Sequence, residues 1–161
     1  MNKEEILSEI KKTKEHLANM EKILEEYSER WKPNSCDAYY YIDAFGNVLS
    51  QIETGHYSDS AFWESYNCFK TREQAELEAE KILVRRMLED IARRLNKGKK
   101  IDWNNSKQPK YCIELYFNNI VTNFYYGHKT QGTVYCLDKN FKDVAIQEIG
   151  EGRLIKYLRG K

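Results

Sequence analysis

Tyr39-Tyr40-Tyr41-Ile42, Phe45-Gly46-Asn47-Val48 and Gly55-His56 return later in the chain as Lys110-Tyr111-Cys112-Ile113, Phe117-Asn118-Asn119-Ile120 and Gly127-His128. Six residues separate Val48 from Gly55, and six separate Ile120 from Gly127. One gap residue aligns the two runs. Each is followed by an aromatic, strand-like stretch and then by a helix-like one. Self-similarity at this period marks a supersecondary unit used twice. It predicts an architecture and carries no chemistry.

Within the first unit, residues 39–42 and 47–52 read as a hairpin around Phe45-Gly46, with a third strand near residues 63–69. Within the second, residues 111–117 and 120–126 pair around Asn118-Asn119, and residues 133–137 form the third strand. Aromatic and β-branched enrichment supports all six strands. Thr71, with Gln74 three residues on, makes a capping box for a helix over residues 71–96. Glu residues fill the first turns of that helix and Arg residues the last, which matches the helix dipole. Leu77, Val84, Leu88, Ile91 and Leu95 form its apolar stripe. Asp138 caps a shorter helix over residues 140–150, and a terminal turn covers residues 153–158.

Outward from this pattern, residues 3–32 read as one amphipathic helix. Ile10, Leu17, Leu24 and Trp31 recur every seven residues, with Ile6, Thr13, Met20 and Tyr27 on the adjacent column. Pro33 ends the run. At ~1.5 Å per residue the helix is about 45 Å long. So narrow a seam needs a partner. Two remain open: the helix over residues 71–96, or a second copy, giving a coiled-coil homodimer through residues 3–31. The fold class expected is α+β: a long N-terminal amphipathic helix (residues 1–32), then two βββα repeats with antiparallel sheets (33–98 and 99–161), forming one compact unit.

The charges nearly cancel, at net +1 over 161 residues, which argues against a polybasic tail or a DNA mimic. No apolar run reaches the ~20 residues of a membrane span. The first residues lack an apolar core for a signal peptide, so a cytoplasmic location in a host cell is expected. Charge is unevenly placed. Residues 33–70 hold five acidic side chains and one basic, whereas residues 99–161 hold eleven basic and six acidic. An acidic first unit and a basic second one suggest that function lies in the difference between them.

Candidate chemistry is sparse. His56, His128, Cys68 and Cys136 are nitrogen and sulfur ligands of the kind zinc takes, but they are scattered and no CxxC pair occurs. The four cysteines read as thiols. Asp37, Asp43, Glu53, Asp59 and Glu64 read as turn and loop residues. No phosphate loop, metalloprotease or hydrolase motif is present. The expectation is a protein without enzymatic activity, metal or cofactor.

Two surface signals remain. Arg85, Arg86, Arg93, Arg94, Lys97, Lys99 and Lys100 could contact phosphates or a protein partner. Against this, Glu89–Arg93 and Asp90–Arg94 have the spacing of helical ion pairs. The chain also holds 12 tyrosines. Neighbours on a strand face opposite ways, so the runs 39–41 and 125–126 cannot be wholly buried. Tyr40, Tyr125 and Tyr126 are therefore candidate partner-binding residues, since tyrosine is favoured at interfaces.

Tyr39-Tyr40-Tyr41-Ile42, the run Asn67-Cys68-Phe69-Lys70-Thr71-Arg72-Glu73-Gln74-Ala75-Glu76, Ile101-Asp102-Trp103-Asn104 and Gln108-Pro109-Lys110-Tyr111 resemble small proteins of Firmicute phages and prophages. Gly132-Thr133-Val134-Tyr135, the run Ala145 to Gly150, and Tyr157-Leu158 fit the same group. The resemblance covers about residues 31–158. It implies a binding protein of phage or mobile-element origin, with inhibition of host antiviral defence (anti-CRISPR action included) as the expected role. The expected partner is a host defence protein or nucleoprotein. Phe69-Lys70-Thr71-Arg72-Glu73-Gln74-Ala75 after three strands is locally similar to the arm-type (AP2-like) DNA-binding domain of phage integrases. That similarity implies an alternative, a nucleic-acid-binding accessory protein. The first sheet region is too acidic for DNA, so the alternative rests on the basic second unit.

Overall fold

In a computed structural model, the chain is described over residues 30–160 and at Glu9, Lys12, Thr13, Lys14 and Leu17, which are helical. Arg30, Trp31 and Lys32, expected as its last residues, are not helical; the rest of the helix expected over residues 3–32, and with it the choice between internal packing and a homodimer, lies outside the described residues. Between residues 30 and 160 the protein is a mixture of helix and antiparallel strand, as an α+β class requires.

Strands β1 (Ala38–Ile42) and β2 (Val48–Ile52) form the first hairpin. Its turn is built on Asp43, whose carboxylate accepts from the Phe45 and Asn47 amides, both at 2.8 Å. A hydrogen bond from the Asn47 side chain, with these amides, holds that carboxyl below the usual carboxylate range. Gly46 completes the turn at φ +90°, open to glycine without strain. The second hairpin joins β3 (Lys110–Tyr116) to β4 (Asn119–Tyr125). Its two-residue loop is Phe117-Asn118, one residue before the Asn118-Asn119 turn expected from the sequence, both left-handed at φ 44° and 65°, the backbone of a type I′ turn.

Neither hairpin acquires the third strand expected from the sequence. Residues 63–69 supply one bridge: Phe69 exchanges both backbone hydrogen bonds with Tyr40, at 2.8 and 2.9 Å. Residues 133–137 likewise supply one, with Cys136 and Tyr111 bonded at 2.8 and 2.7 Å. A side chain explains the truncation in the first case. Asn67 Oδ1 accepts from the Ile42 amide at 2.8 Å, and its Nδ2 donates to the Ile42 carbonyl at 2.7 Å. The amide group thus replaces a strand residue, and the chain leaves the sheet.

The other correction is α1 (Tyr57–Glu64), an eight-residue helix where a connection and part of a strand were expected. His56 does not end a strand. It is the N-cap of α1, and Asp59 at the third helical position reaches back to the His56 amide at 3.1 Å. Helix α2 (Arg72–Asn96) begins at the Thr71/Gln74 capping box and ends at Lys97, which takes the left-handed conformation at φ 49°. Helices α3 (Phe141–Ile149) and α4 (Glu151–Arg159) close the chain. The expected terminal turn is thus a full helix, and Asn140 rather than Asp138 is its neighbour's N-cap.

Helix α2 lies between the first hairpin and the α3–α4 pair, which in turn covers the second hairpin. The main core joins Val84, Leu88 and Ile91 of α2 to Ile113, Ile120, Phe141, Ile149 and Leu154. Arg153 of α4 fixes the stack through two bonds to Glu80, at 2.6 and 3.0 Å. Among the described residues, no helix is long and apolar enough to cross a membrane.

Candidate interaction surfaces

Each hairpin has one face toward the helices and one away from them. On the first, Tyr39 and Tyr41 point away, and α1 covers them. Phe62 stacks on Tyr41 with ring centres 4.2 Å apart. Asp59, read from the sequence as a loop residue, is buried beneath this layer. Its carboxylate accepts from Tyr39 Oη (2.8 Å), Gln51 Nε2 (2.7 Å), the Thr54 amide and hydroxyl (both 3.0 Å) and the His56 amide. Five donors hold the carboxyl far below its usual range, the Thr54 amide and Tyr39 hydroxyl foremost. Burial, and then the bond to Asp59, push the Tyr39 phenol up. The site is fully satisfied and serves to fasten α1 to the hairpin.

Among the described residues, no helix lies over the outer face of the second hairpin. Glu114 stands there instead, accepting from Tyr125 Oη and Asn123 Nδ2, both at 3.0 Å. The bond to Glu114 is the main cause of the raised Tyr125 phenol. Lys110 is wholly buried at the strand's start. Its ammonium donates to the carbonyls of Asn105 (2.8 Å) and Tyr126 (2.5 Å), 5.6 Å from the centre of the Trp103 ring. Trp103 meets Tyr135 edge-on at 5.0 Å. The linker between the units is thereby pinned to the second hairpin.

The basic stretch divides. Arg85 pairs with Glu89 at 3.0 Å, not Glu89 with Arg93 as the spacing suggested. Arg93 and Arg94 both bond Asp90, and Arg94 also reaches Glu148 at 2.5 Å. Among the described residues, Arg86, Lys97, Lys99 and Lys100 have no such ion pair. Arg86 lines a cleft of about 500 Å³ with Phe45, Tyr66, Phe69, Ile82 and Leu83. Lys97, Lys99 and Lys100 are exposed at the other end of α2. The seven cations therefore form two groups, not one stripe.

Of the candidate tyrosines, Tyr126 is exposed, whereas Tyr40 is half-buried at its bridge with Phe69 and Tyr125 is half-buried on Glu114. The more exposed aromatic residues were missed in the sequence. Phe45 is 89 % exposed and Phe117 is 82 % exposed, each at a hairpin tip. Tyr66 is also exposed and, at φ 61°, left-handed. A guanidinium stacks on it, Arg30 Cζ lying 4.0 Å from its ring centre. Bulky residues at positive φ are uncommon, and that would have been the signal: two turns where asparagine or glycine fits carry an aromatic side chain instead.

The scattered histidines and cysteines stay apart. His56 bonds Ser58 at 2.9 Å and His128 packs on Tyr125. Cys136 is buried against the end of α2, its thiol pushed up by burial. Among the described residues no group of three or more metal-ligating side chains is gathered. Compared with protein-family models, with curated proteins and with solved structures, the chain matches none of them.

Proposed function

We propose that this protein acts by binding, without catalysis, and sterically blocks a host antiviral-defence protein or nucleoprotein on behalf of a phage or mobile element. In this reading the two hairpin-and-helix segments are copies of one unit, preceded by a long N-terminal helix, and together they form a rigid mount for projecting aromatics. The observation that supports it best is Phe117. Its ring is 82 % exposed and meets the exposed ring of Tyr116 edge-on at 4.6 Å, and its left-handed backbone costs about 1 kcal/mol that asparagine or glycine would not. Strain of this kind, held at an exposed aromatic tip, fits a residue kept for contact with a partner. Aromatic residues are the commonest anchors of such contacts. The pairing of Arg85, Arg93 and Arg94 with carboxylates favours a protein surface over bare phosphate.

The test is phage plaquing on a host with an active defence system, with and without expression of this chain. Plaquing should rise, the effector should co-purify, and Phe117→Asn should reduce both. Unchanged plaquing with no co-purifying effector overturns the reading. A second reading, a nucleic-acid accessory protein, is favoured by Lys97, Lys99 and Lys100 standing exposed together. It requires binding to DNA or RNA that weakens steeply as salt rises; affinity that barely changes with salt sinks it.

A further inference from the structure

Among the described residues the outer edge of β4 is unpaired, and the geometry points to a second copy of this chain as its partner, paired antiparallel about Thr122. The direction of its backbone groups follows from the bridge on the opposite side of β3. Tyr111 exchanges both of its bonds with Cys136, so the pair Tyr111/Phe124 is not hydrogen-bonded within the hairpin. Antiparallel pairs alternate. The pairs Ile113/Thr122 and Leu115/Ile120 are then also unbonded. The N–H and C=O groups of Ile120, Thr122 and Phe124 thus point out of the sheet, and no described strand meets them. The Phe124 amide has only the Oδ1 of its neighbour Asn123, at 2.9 Å.

Exposed edges of natural sheets are blunted by charge, proline or a bulge. Residues 119–126, Asn-Ile-Val-Thr-Asn-Phe-Tyr-Tyr, carry none of these. The edge is also self-complementary. A two-fold axis at Thr122 sets each Thr122 opposite the other, a favourable pair. It places Phe124 opposite Ile120 of the second copy, apolar against apolar, with three outward-facing residues per copy giving six backbone bonds. Tyr126, exposed at one end of the strand, comes opposite the Phe117-Asn118 turn, exposed at the other. The operation opposes no like charges, since residues 119–126 carry none. The β2 edge is shorter, five residues against seven, and is flanked by Asp43 and Glu53.

The experiment uses the full chain, because its N-terminal heptads offer a different route to a dimer. Sedimentation measures the dimer, and oxidative cross-linking of Thr122→Cys locates it. The expected results are a concentration-dependent dimer, a covalent dimer of Thr122→Cys well above the wild-type background, and none for Ser50→Cys on the β2 edge. Thr122→Glu, which opposes two charges on the axis, should weaken the dimer about tenfold or more. Thr122→Pro, which removes only an outward N–H, should do likewise with an unchanged circular dichroism spectrum. A monomer at all concentrations overturns the inference. So does a dimer that Thr122→Glu leaves intact and Thr122→Cys does not trap.

Discussion

The two hairpins share a ladder, a bridge and a following helix, and they differ in what lies on the face turned away from the helices. On the first, a helix inserted between sheet and bridge brings a carboxylate, Asp59, down onto the strands. On the second, the carboxylate belongs to the strand itself, Glu114, and no described helix lies over the face. The buried partners differ accordingly: Tyr39 stands in β1 where Lys110 stands in β3, both with no exposed surface. The same backbone plan therefore tolerates a phenol or an ammonium at one interior position, provided each polar atom finds its partner. The acidity of the first unit has the same origin. Asp37, Asp43, Glu53 and Asp59 all accept backbone amides at turns or caps. Of these four carboxylates only Asp59 is buried; the others hold turns from the surface, so the local need for amide acceptors places the acids without hiding their charge.

The largest effect should come from breaking the closed face. Asp59→Ala leaves five donors without an acceptor, and lost partners of buried groups are costly. A fall in Tm of roughly 10 °C is expected by calorimetry. The effect has a pH signature. Because the Asp59 pKa is depressed in the fold, its contribution is complete above the unfolded carboxyl value of about 3.9 and is lost as pH falls through the folded value. The gap between wild type and Asp59→Ala should narrow below about pH 4. A gap that widens on acidification would contradict the hydrogen-bond account. The phenol behaves oppositely. With the Tyr39 pKa raised, the advantage over Tyr39→Phe holds below about pH 10 and fades above it.

A smaller effect tests the open face. Lys110→Met keeps the stem and deletes the ammonium, taking the donor from the Tyr126 carbonyl and leaving the Asn105 carbonyl only the Gln108 amide. Roughly 2 kcal/mol is at stake, or about 5 °C in Tm. Amide exchange should quicken over residues 101–109, which the ammonium ties down, while exchange in the first hairpin stays unchanged. Equal loosening of both hairpins would mean that the linker is not held through Lys110.

What could be read from the chain tracks where local signals and tertiary contacts agree. Thr71 with Gln74 placed the start of α2, and the repeated turn motifs placed both hairpins. Helix α1 was not legible, because its cap is a histidine and its fastening residue, Asp59, looks in sequence like any loop acid. The missing third strands were hidden for a related reason. Residues 63–69 and 133–137 have strand composition, but in the first case Asn67 satisfies Ile42 by its side chain, and no propensity reports that. Lys110 was illegible because a lysine opening a strand reads as solvated. Its burial depends on Trp103, Asn105 and Tyr126 arriving from either side.

The smallest expected effect is the one that bears most on function, and it compares the two turns. Gly46 has open space around an added Cβ, so Gly46→Ala tests backbone conformation alone. At φ +90° it should lower Tm by about 3 °C. Phe117→Asn is the inverse experiment, placing a residue suited to left-handed backbone where a bulky one now sits. It should raise Tm by about 3 °C, since relief of the left-handed backbone outweighs the loss of one edge contact with the exposed Tyr116 ring. A fall in Tm would show the ring to be part of the fold after all. A rise would separate stability from purpose: the monomer would be better off without Phe117, and the ring's value would have to be sought in what it touches outside the monomer. Partner capture by Phe117→Asn should then fall while the folded fraction does not.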